Sequence, residues 1–215
     1  MDRKDKLTEA MNACPIYGIT GGTRDVIPLV KDMLSAGIRI IQYREKGKTP
    51  ILRYQEAMIL RRLTYDYHAL LIIDDYVDLA LAVHADGIHI GQDDLPPNTG
   101  RRIVGPNMLI GWSTHSISDL KAANRYTGVI NYIGVGPIFS TQTKPNANPV
   151  GISYIYWAKQ FSKFPIVAIG GIKTTNADIV WQAHPDFICA VSEITESDNI
   201  QNTVYELMTG YSRVR

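Results

Sequence analysis

Eight short apolar runs recur along the chain, at 16–20, 38–43, 70–74, 87–90, 109–113, 130–135, 165–169 and 187–192. They are rich in Ile and Val, mostly too short for helices, and largely continuous rather than alternating with polar residues. That pattern suits parallel strands buried on both faces. The segments between them carry helical spacing instead. Val26, Val30, Met33 and Leu34 form a stripe that stops before Gly37, a helix-ending residue. Residues 50–65 place Ile51, Tyr54, Met58 and Leu63 near one face, with Pro50 acceptable in the first turn. Ser118-Asp119 is placed to cap 120–126, Thr175-Asn176 to cap 179–183, and 200–208 makes the last helix.

Eight strand-then-helix units with no strand-only region predict an α/β protein. A doubly wound open sheet, the runner-up, usually needs fewer strands, whereas eight close a barrel. The expectation is a single-domain (β/α)8 TIM barrel over residues 15–215, with 1–14 as an N-terminal extension. The 215 residues fall below the roughly 250 typical of such barrels but suffice for a compact one.

Composition narrows the classes of function. With 45% hydrophobic and 20% charged residues, a sizeable core is expected and global disorder is not. A net charge of +1 gives no argument for nucleic acid or an anionic membrane, so any charge logic is local. No apolar stretch approaches about 18 residues, and no apolar segment follows the charged start, so neither a membrane span nor a signal peptide is expected. Cys14 and Cys189 lie far apart without metal-ligand spacing, which reads as two reduced thiols in a cytoplasmic protein. Trp157, Trp181 and Tyr154 on helix faces are compatible with a homodimer surface, and equally with aromatics that cover a barrel from outside.

The chemistry gathers where the strands end, which in such barrels is the active-site face. Alternation along the second strand puts Gln42, Arg44 and Lys46 on one side, a ladder of one amide and two cations suited to a polyanion. The third strand ends in Asp74-Asp75, and the fourth runs into Gly91-Gln92-Asp93-Asp94. The fifth ends in Ser113 with His115 close behind, and Ser140-Thr141-Gln142-Thr143-Lys144 follows the sixth. Gly170-Gly171 ends the seventh and Val191-Ser192 the eighth.

Asp75 and Asp94 leave neighbouring strands, and two carboxylates with substrate oxygens and water are the usual arrangement for Mg²⁺ in phosphate chemistry. The alternative is local: Asp94 starting a turn before Pro96-Pro97, and Asp75 capping the helix that holds Val77 to Val83. Gly170-Gly171, a small polar residue after the eighth strand and the hydroxyls of Thr141 and Thr143 fit the phosphate site of such barrels. Together the rim holds two anion sites. One is strongly positive, with Arg44, Lys46, Lys144 and a divalent cation, and the other is made mostly of neutral donors. That points to two substrates, a pyrophosphate and a monophosphate.

Three stretches carry a resemblance: Gln42 to Lys46, Ala85 to Asp94, and Gly134 to Lys144. They are similar to the motifs of the thiamine-phosphate synthase family, and the resemblance extends from Tyr17-Gly18-Ile19-Thr20 to Val191-Ser192-Glu193-Ile194. It implies a (β/α)8 barrel that joins 4-amino-5-hydroxymethyl-2-methylpyrimidine pyrophosphate to a thiazole phosphate with Mg²⁺, releasing pyrophosphate. It further implies that Gln42, Tyr43, Arg44, Glu45, Lys46, Asp74, Ser113 and Lys144 serve the pyrimidine pyrophosphate, with Arg44, Lys46, Ser113 and Lys144 closest to the chemistry. Asp75 and Asp94 match the magnesium ligands. Thr141, Thr143, Gly171, Val191 and Ser192 match the thiazole-phosphate site.

The chain departs from the family pattern in four places. Asp74-Asp75-Tyr76 stands where the family usually has Asn-Asp-Arg, which turns an amide into an acceptor-only anion. Asp74 is therefore expected either to be screened by a cation or to join the metal. Ser140 replaces a proline, and Glu193 replaces a small residue where, turned inward, it would crowd the phosphate. Two other readings compete. One is a thiazole tautomerase-like isomerase with His115 as acid or base, against which His115 is also read as a loop residue holding its turn. The other is a non-catalytic ligand-binding barrel. His89, inside a strand, is expected to be structural.

Overall fold

The computed structural model of the chain describes residues 3–141 and 147–214. After helix α1 (Arg3–Ala13), eight strands follow: β1 (Gly18–Ile19), β2 (Ile40–Tyr43), β3 (Leu70–Asp74), β4 (Gly87–Ile90), β5 (Leu109–Thr114), β6 (Tyr132–Val135), β7 (Ile166–Ile169) and β8 (Phe187–Cys189). Between and after them lie α2 (Val26–Ser35), α3 (Pro50–Asp66), α4 (Val77–Ala82), α5 (Pro97–Val104), α6 (Ile117–Ala123), α7 (Ile152–Phe161), α8 (Ala177–Trp181), α9 (Val191–Thr195), α10 (Ile200–Thr209) and α11 (Tyr211–Val214). The strands pair in parallel in chain order. An Ile16–Ile188 bridge joins the two ends, through Tyr17 N–H to the Ile188 carbonyl at 2.9 Å and Ile188 N–H to the Pro15 carbonyl at 3.0 Å. The expected (β/α)8 barrel is the observed fold.

The continuous apolar runs have a direct cause. Successive strand residues point alternately inward and outward, and both directions are buried. Ile40, Leu70 and Ile72 belong to the interior cluster. Ile41, Leu71 and Ile73 belong to the cluster under the helices. Each such side chain contributes about 1.5–3 kcal/mol by leaving water. Leu7 and Ala10 of α1 join the interior cluster with Leu70 and Leu109, the first residues of their strands. The helix therefore stoppers the N-terminal end of the barrel, and the cavity opens at the other.

Several boundaries differ from expectation for local reasons. The eighth strand ends at Cys189, and Val191-Ser192 open α9, with Ile194 N–H donating to the Ala190 carbonyl at 3.1 Å. Helix α6 begins earlier than its expected cap, because the Ser116 hydroxyl accepts from Asp119 N–H and leaves Ser118 inside the helix. Tyr76, not Asp75, occupies the N-cap position before α4, without a side-chain capping bond. Helix α5 carries no apolar stripe that signals it in the sequence, with only Pro97 and Gly100 buried.

Two of the three aromatics considered for a homodimer surface lie in the interior. Trp181 is fully buried, with its indole N–H on the Leu207 carbonyl, and Tyr154 is buried with its hydroxyl on the Ser116 carbonyl. Neither presents a surface, because each closes a helix–helix seam. Trp157 is exposed and stacks on Phe161. Among the described residues no helix is long and apolar enough to cross a membrane.

Candidate active site

The cationic ladder leaves the end of β2, which is clamped to the loop after β1. Thr20 N–H donates to the Gln42 carbonyl and Arg44 N–H to the Thr20 hydroxyl, both at 2.9 Å. Gln42 and Arg44 line a cavity of about 190 Å³ at this end of the barrel. Lys46 and Asp75 sit beside it as a pair, Nζ to Oδ2 at 2.8 Å, and that hydrogen bond raises the lysine's pKa. Arg44 Nε meets Asp74 Oδ2 at 3.3 Å, so the acid that departs from the family pattern is screened by a cation. The two odd-numbered ladder residues point elsewhere. Tyr43 donates to Glu56 on α3 at 2.7 Å, and Glu45 pairs with Lys48.

Among the described residues, Gln42 is an exception to a well-satisfied interior: its side chain is buried, yet its Nε2 has no hydrogen-bond partner among them. A buried donor left unmade costs about 1–3 kcal/mol, so this amide is placed for an acceptor that a ligand brings.

On the acidic side, Asp75 adopts φ 59°, a conformation uncommon outside glycine, Asn and Asp, while its N–H holds the His89 carbonyl at 2.9 Å. Asp94 folds its own loop by accepting from Gly91 N–H at 2.6 Å. Among the described residues no three His, Cys, Asp or Glu gather to hold a metal by themselves. Magnesium rarely asks for such a cage; it binds one or two carboxylates and completes its shell with water and phosphate oxygens. Asp75 and Asp94, all-oxygen donors leaving the adjacent strands β3 and β4, fit that demand. The Arg53 guanidinium lies 3.8 Å from the Tyr76 ring centroid, so a cation reaches this corner from α3.

The opposite wall is built from close backbone approach. Gly170 and Gly171 have φ 101° and 64°, and the segment after β6 runs along them, Ile138 N–H to the Ile169 carbonyl at 2.9 Å and Phe139 N–H to that of Gly170 at 3.0 Å. A side chain on Gly171 would strike Phe139 and the Ser140 carbonyl. Thr141, Val191 and Ser192 line the cavity here. Glu193 turns away, accepting from Thr174 N–H at 3.0 Å and its hydroxyl at 2.8 Å, and does not crowd the wall. Thr143 and Lys144 lie outside the described residues.

The floor of the cavity holds a network that the sequence pattern did not reveal. Tyr17 and Tyr132 meet hydroxyl to hydroxyl at 2.8 Å, Tyr132 faces His89 Nδ1 at 3.4 Å, and His89 Nε2 meets the Ser113 hydroxyl at 2.9 Å. Burial, the largest influence, pushes both phenols above the usual tyrosine range and keeps them neutral. The available signal was a tyrosine inside each of two apolar strand segments. His89 is therefore structural and also part of the cavity wall. His115 holds the Gly136 carbonyl through Nδ1 and takes Asp119 on its backbone N–H at 2.8 Å, although its ring edge borders the cavity. Ile19, Val167 and Ile169 supply an apolar surface between the two polar walls, suited to a flat heteroaromatic ring.

The arrangement offers cations and paired acids on one side, neutral donors on the other and an apolar slot between. Cys189 is buried and its thiol is held above the usual range by desolvation, so it is no nucleophile. The site can bind two anionic ring compounds and stabilise a departing anion without covalent help.

Comparison with known proteins agrees with this geometry. Residues 14–194 match the family model described as thiamine monophosphate synthase. The thiamine-phosphate synthase of Caldicellulosiruptor bescii is 41% identical over 212 residues, covering 96% of this chain and 95% of its own. That of Pelotomaculum thermopropionicum is 42% identical over 203 residues, 92% of each. A solved thiamine phosphate pyrophosphorylase from Pyrococcus furiosus superposes with a TM-score of 0.86 at 31% identity, over 95% of this chain and 98% of that one.

Proposed function

The chain belongs to the thiamine monophosphate synthase family and acts as a thiamine-phosphate synthase, a transferase of thiamine biosynthesis; on that premise we propose that it couples 4-amino-5-hydroxymethyl-2-methylpyrimidine pyrophosphate to a thiazole phosphate and releases pyrophosphate. The observation that carries the substrate assignment is the orphaned Gln42 amide beside Arg44 and Lys46. A heteroaromatic acceptor next to a polyphosphate is what such a trio recognises.

In this reading Gln42 and Ser113 orient the pyrimidine, while Arg44 and Lys46, joined by Lys144, take the pyrophosphate. Asp75 and Asp94 hold Mg²⁺, which when bound neutralises charge on the phosphate oxygens. The Gly171 backbone, Thr141, Thr143, Val191 and Ser192 seat the thiazole phosphate. The methylene C–O bond breaks with its electron pair leaving on pyrophosphate, the aminopyrimidine carries the resulting positive charge, and the thiazole nitrogen forms the new C–N bond. Arg44 and Lys46 stand at the rim beside Asp74 and Asp75, and turning their donors from the acids to the pyrophosphate lets them stabilise the charge that grows on the leaving group.

Purified protein with Mg²⁺ and both substrates should form thiamine phosphate and pyrophosphate in equal amounts. Binding of both without turnover would instead leave a ligand-binding barrel. Ring isomerisation of a thiazole carboxylate phosphate, lost in His115→Ala, would favour the tautomerase. The hold of His115 on Gly136 and Asp119 supports the turn-holding role instead.

A further inference from the structure

The buried chain Tyr17–Tyr132–His89–Ser113 crosses the barrel floor, and the functional reading uses only its last member. Its proton directions follow from counting. Each neutral phenol has one proton. Among the described residues, the hydrogen-bond partner of the Tyr17 hydroxyl is Tyr132. If Tyr132 donated to Tyr17, the Tyr17 proton would be buried without an acceptor, a costly arrangement. If Tyr17 donates instead, the Tyr132 proton is able to turn to His89 Nδ1, 3.4 Å away. Both protons then have acceptors. Nδ1 becomes an acceptor, so the ring proton belongs on Nε2, which donates to Ser113 Oγ at 2.9 Å. The serine accepts from the histidine, and its own proton is released toward the cavity.

The barrel makes room for this chain. A side chain on Gly111 of β5 would overlap both the Tyr132 ring and His89 Nδ1, while Gly134 of β6 lies against the other edge of the imidazole. The His89 and Tyr132 rings lie 5.7 Å apart, centroid to centroid. Burial keeps both phenols protonated, so the chain does not lose its protons near neutral pH.

We propose that Tyr17, Tyr132 and His89 are positioning residues that lock the imidazole as its Nε2–H tautomer and so present the Ser113 hydroxyl as a hydrogen-bond donor to an acceptor atom of the bound pyrimidine pyrophosphate. This deepens the synthase reading and rests on it for the identity of the acceptor. The orientation of the serine is thus set across the barrel, by residues on β4 and β6 and by Tyr17 just before β1.

The tautomer is read directly by 15N NMR of histidine-labelled protein without ligand. His89 should show a protonated Nε2 and a bare Nδ1 near neutral pH, and Tyr132→Phe should shift the ring toward the other tautomer or a mixture. A protonated Nδ1 in the parent protein, or no change in Tyr132→Phe, would overturn the proposal. In turnover, Tyr132→Phe should lower kcat/KM for the pyrimidine substrate by about tenfold, the scale of one hydrogen bond, and by nothing further in a Ser113→Ala background. A loss that simply adds to that of Ser113→Ala would mean that Tyr132 acts through packing, and would also overturn it. Because the tautomer is measured in the resting protein, a parent protein inactive on both substrates counts against the functional reading and leaves the NMR outcome standing.

Discussion

Arg44 and Asp74 face each other at the barrel rim, Nε to Oδ2 at 3.3 Å, with the acid largely buried and the guanidinium beside the cavity. The pair answers where the anion at the third strand end finds its screen, and it also means that Asp74 competes with any incoming pyrophosphate for the same fork of donors. Asp74→Asn keeps the shape and removes the competing charge. It should lower KM for the pyrimidine pyrophosphate, by about three- to tenfold, with kcat little changed. An unchanged KM together with a raised Mg²⁺ requirement would instead identify Asp74 as a third metal ligand.

Much of this fold was legible because the strands are buried on both faces, which leaves little room for polar residues inside them. Ile40-Ile41 and Leu70-Leu71-Ile72-Ile73 could hardly be anything else. The rim was legible for the complementary reason, since Arg44, Lys46, Asp75 and Asp94 have no business at the end of an apolar run unless solvent or a ligand meets them. What stayed hidden depends on register between distant segments. Tyr17 and Tyr132 are 115 positions apart, and only the closure of the barrel brings them together. Trp181 looked like a surface aromatic because the ring that covers it, Tyr211, lies past the end of the last apolar stripe. Helix α5 escaped because Asn98-Thr99-Gly100 are poor helix formers that its surroundings override.

Removing either expected magnesium ligand separates metal binding from folding. Asp75→Ala and Asp94→Ala should each abolish Mg²⁺-dependent turnover while leaving the circular dichroism spectrum intact, since both side chains sit at strand ends and not in the core. Asp94→Ala should also cost about 1 kcal/mol of stability, because Gly91 N–H loses its acceptor. Full activity in either variant at every Mg²⁺ concentration would remove that residue from the metal site.

The buried phenols set the alkaline limit of stability. Tyr17, Tyr132 and Tyr43 all have pKa values raised chiefly by burial, so the folded state holds protons that the unfolded chain releases above about pH 10. A group with a raised pKa contributes fully below its unfolded value and loses that contribution as pH climbs through the folded one. The thermal midpoint should therefore not respond to these groups between pH 7 and 9 and should fall above about pH 10, each group adding a slope of up to about 1.4 kcal/mol per pH unit. Tyr17→Phe should make the fall shallower. An equally steep fall in that variant would assign it to other groups.

Gly171 carries the last test, because two physical demands meet there. Its φ of 64° costs a side-chain-bearing residue about 1–2 kcal/mol, and an added Cβ would press on Phe139 and the Ser140 carbonyl. The backbone could meet the second demand only by drawing the segment after β6 away from β7. That segment leads to Thr141, and Gly171 itself lines the cavity. Gly171→Ala should therefore raise KM for the thiazole phosphate by about tenfold or more, the loss of one or two hydrogen bonds to a phosphate. KM for the pyrimidine pyrophosphate, which is proposed to bind on the far wall at Arg44 and Lys46, should stay within about twofold of the parent. Steady-state kinetics with each substrate varied in turn decides it. Equal weakening of both substrates would mean that the glycine supports the whole rim and not the phosphate wall in particular.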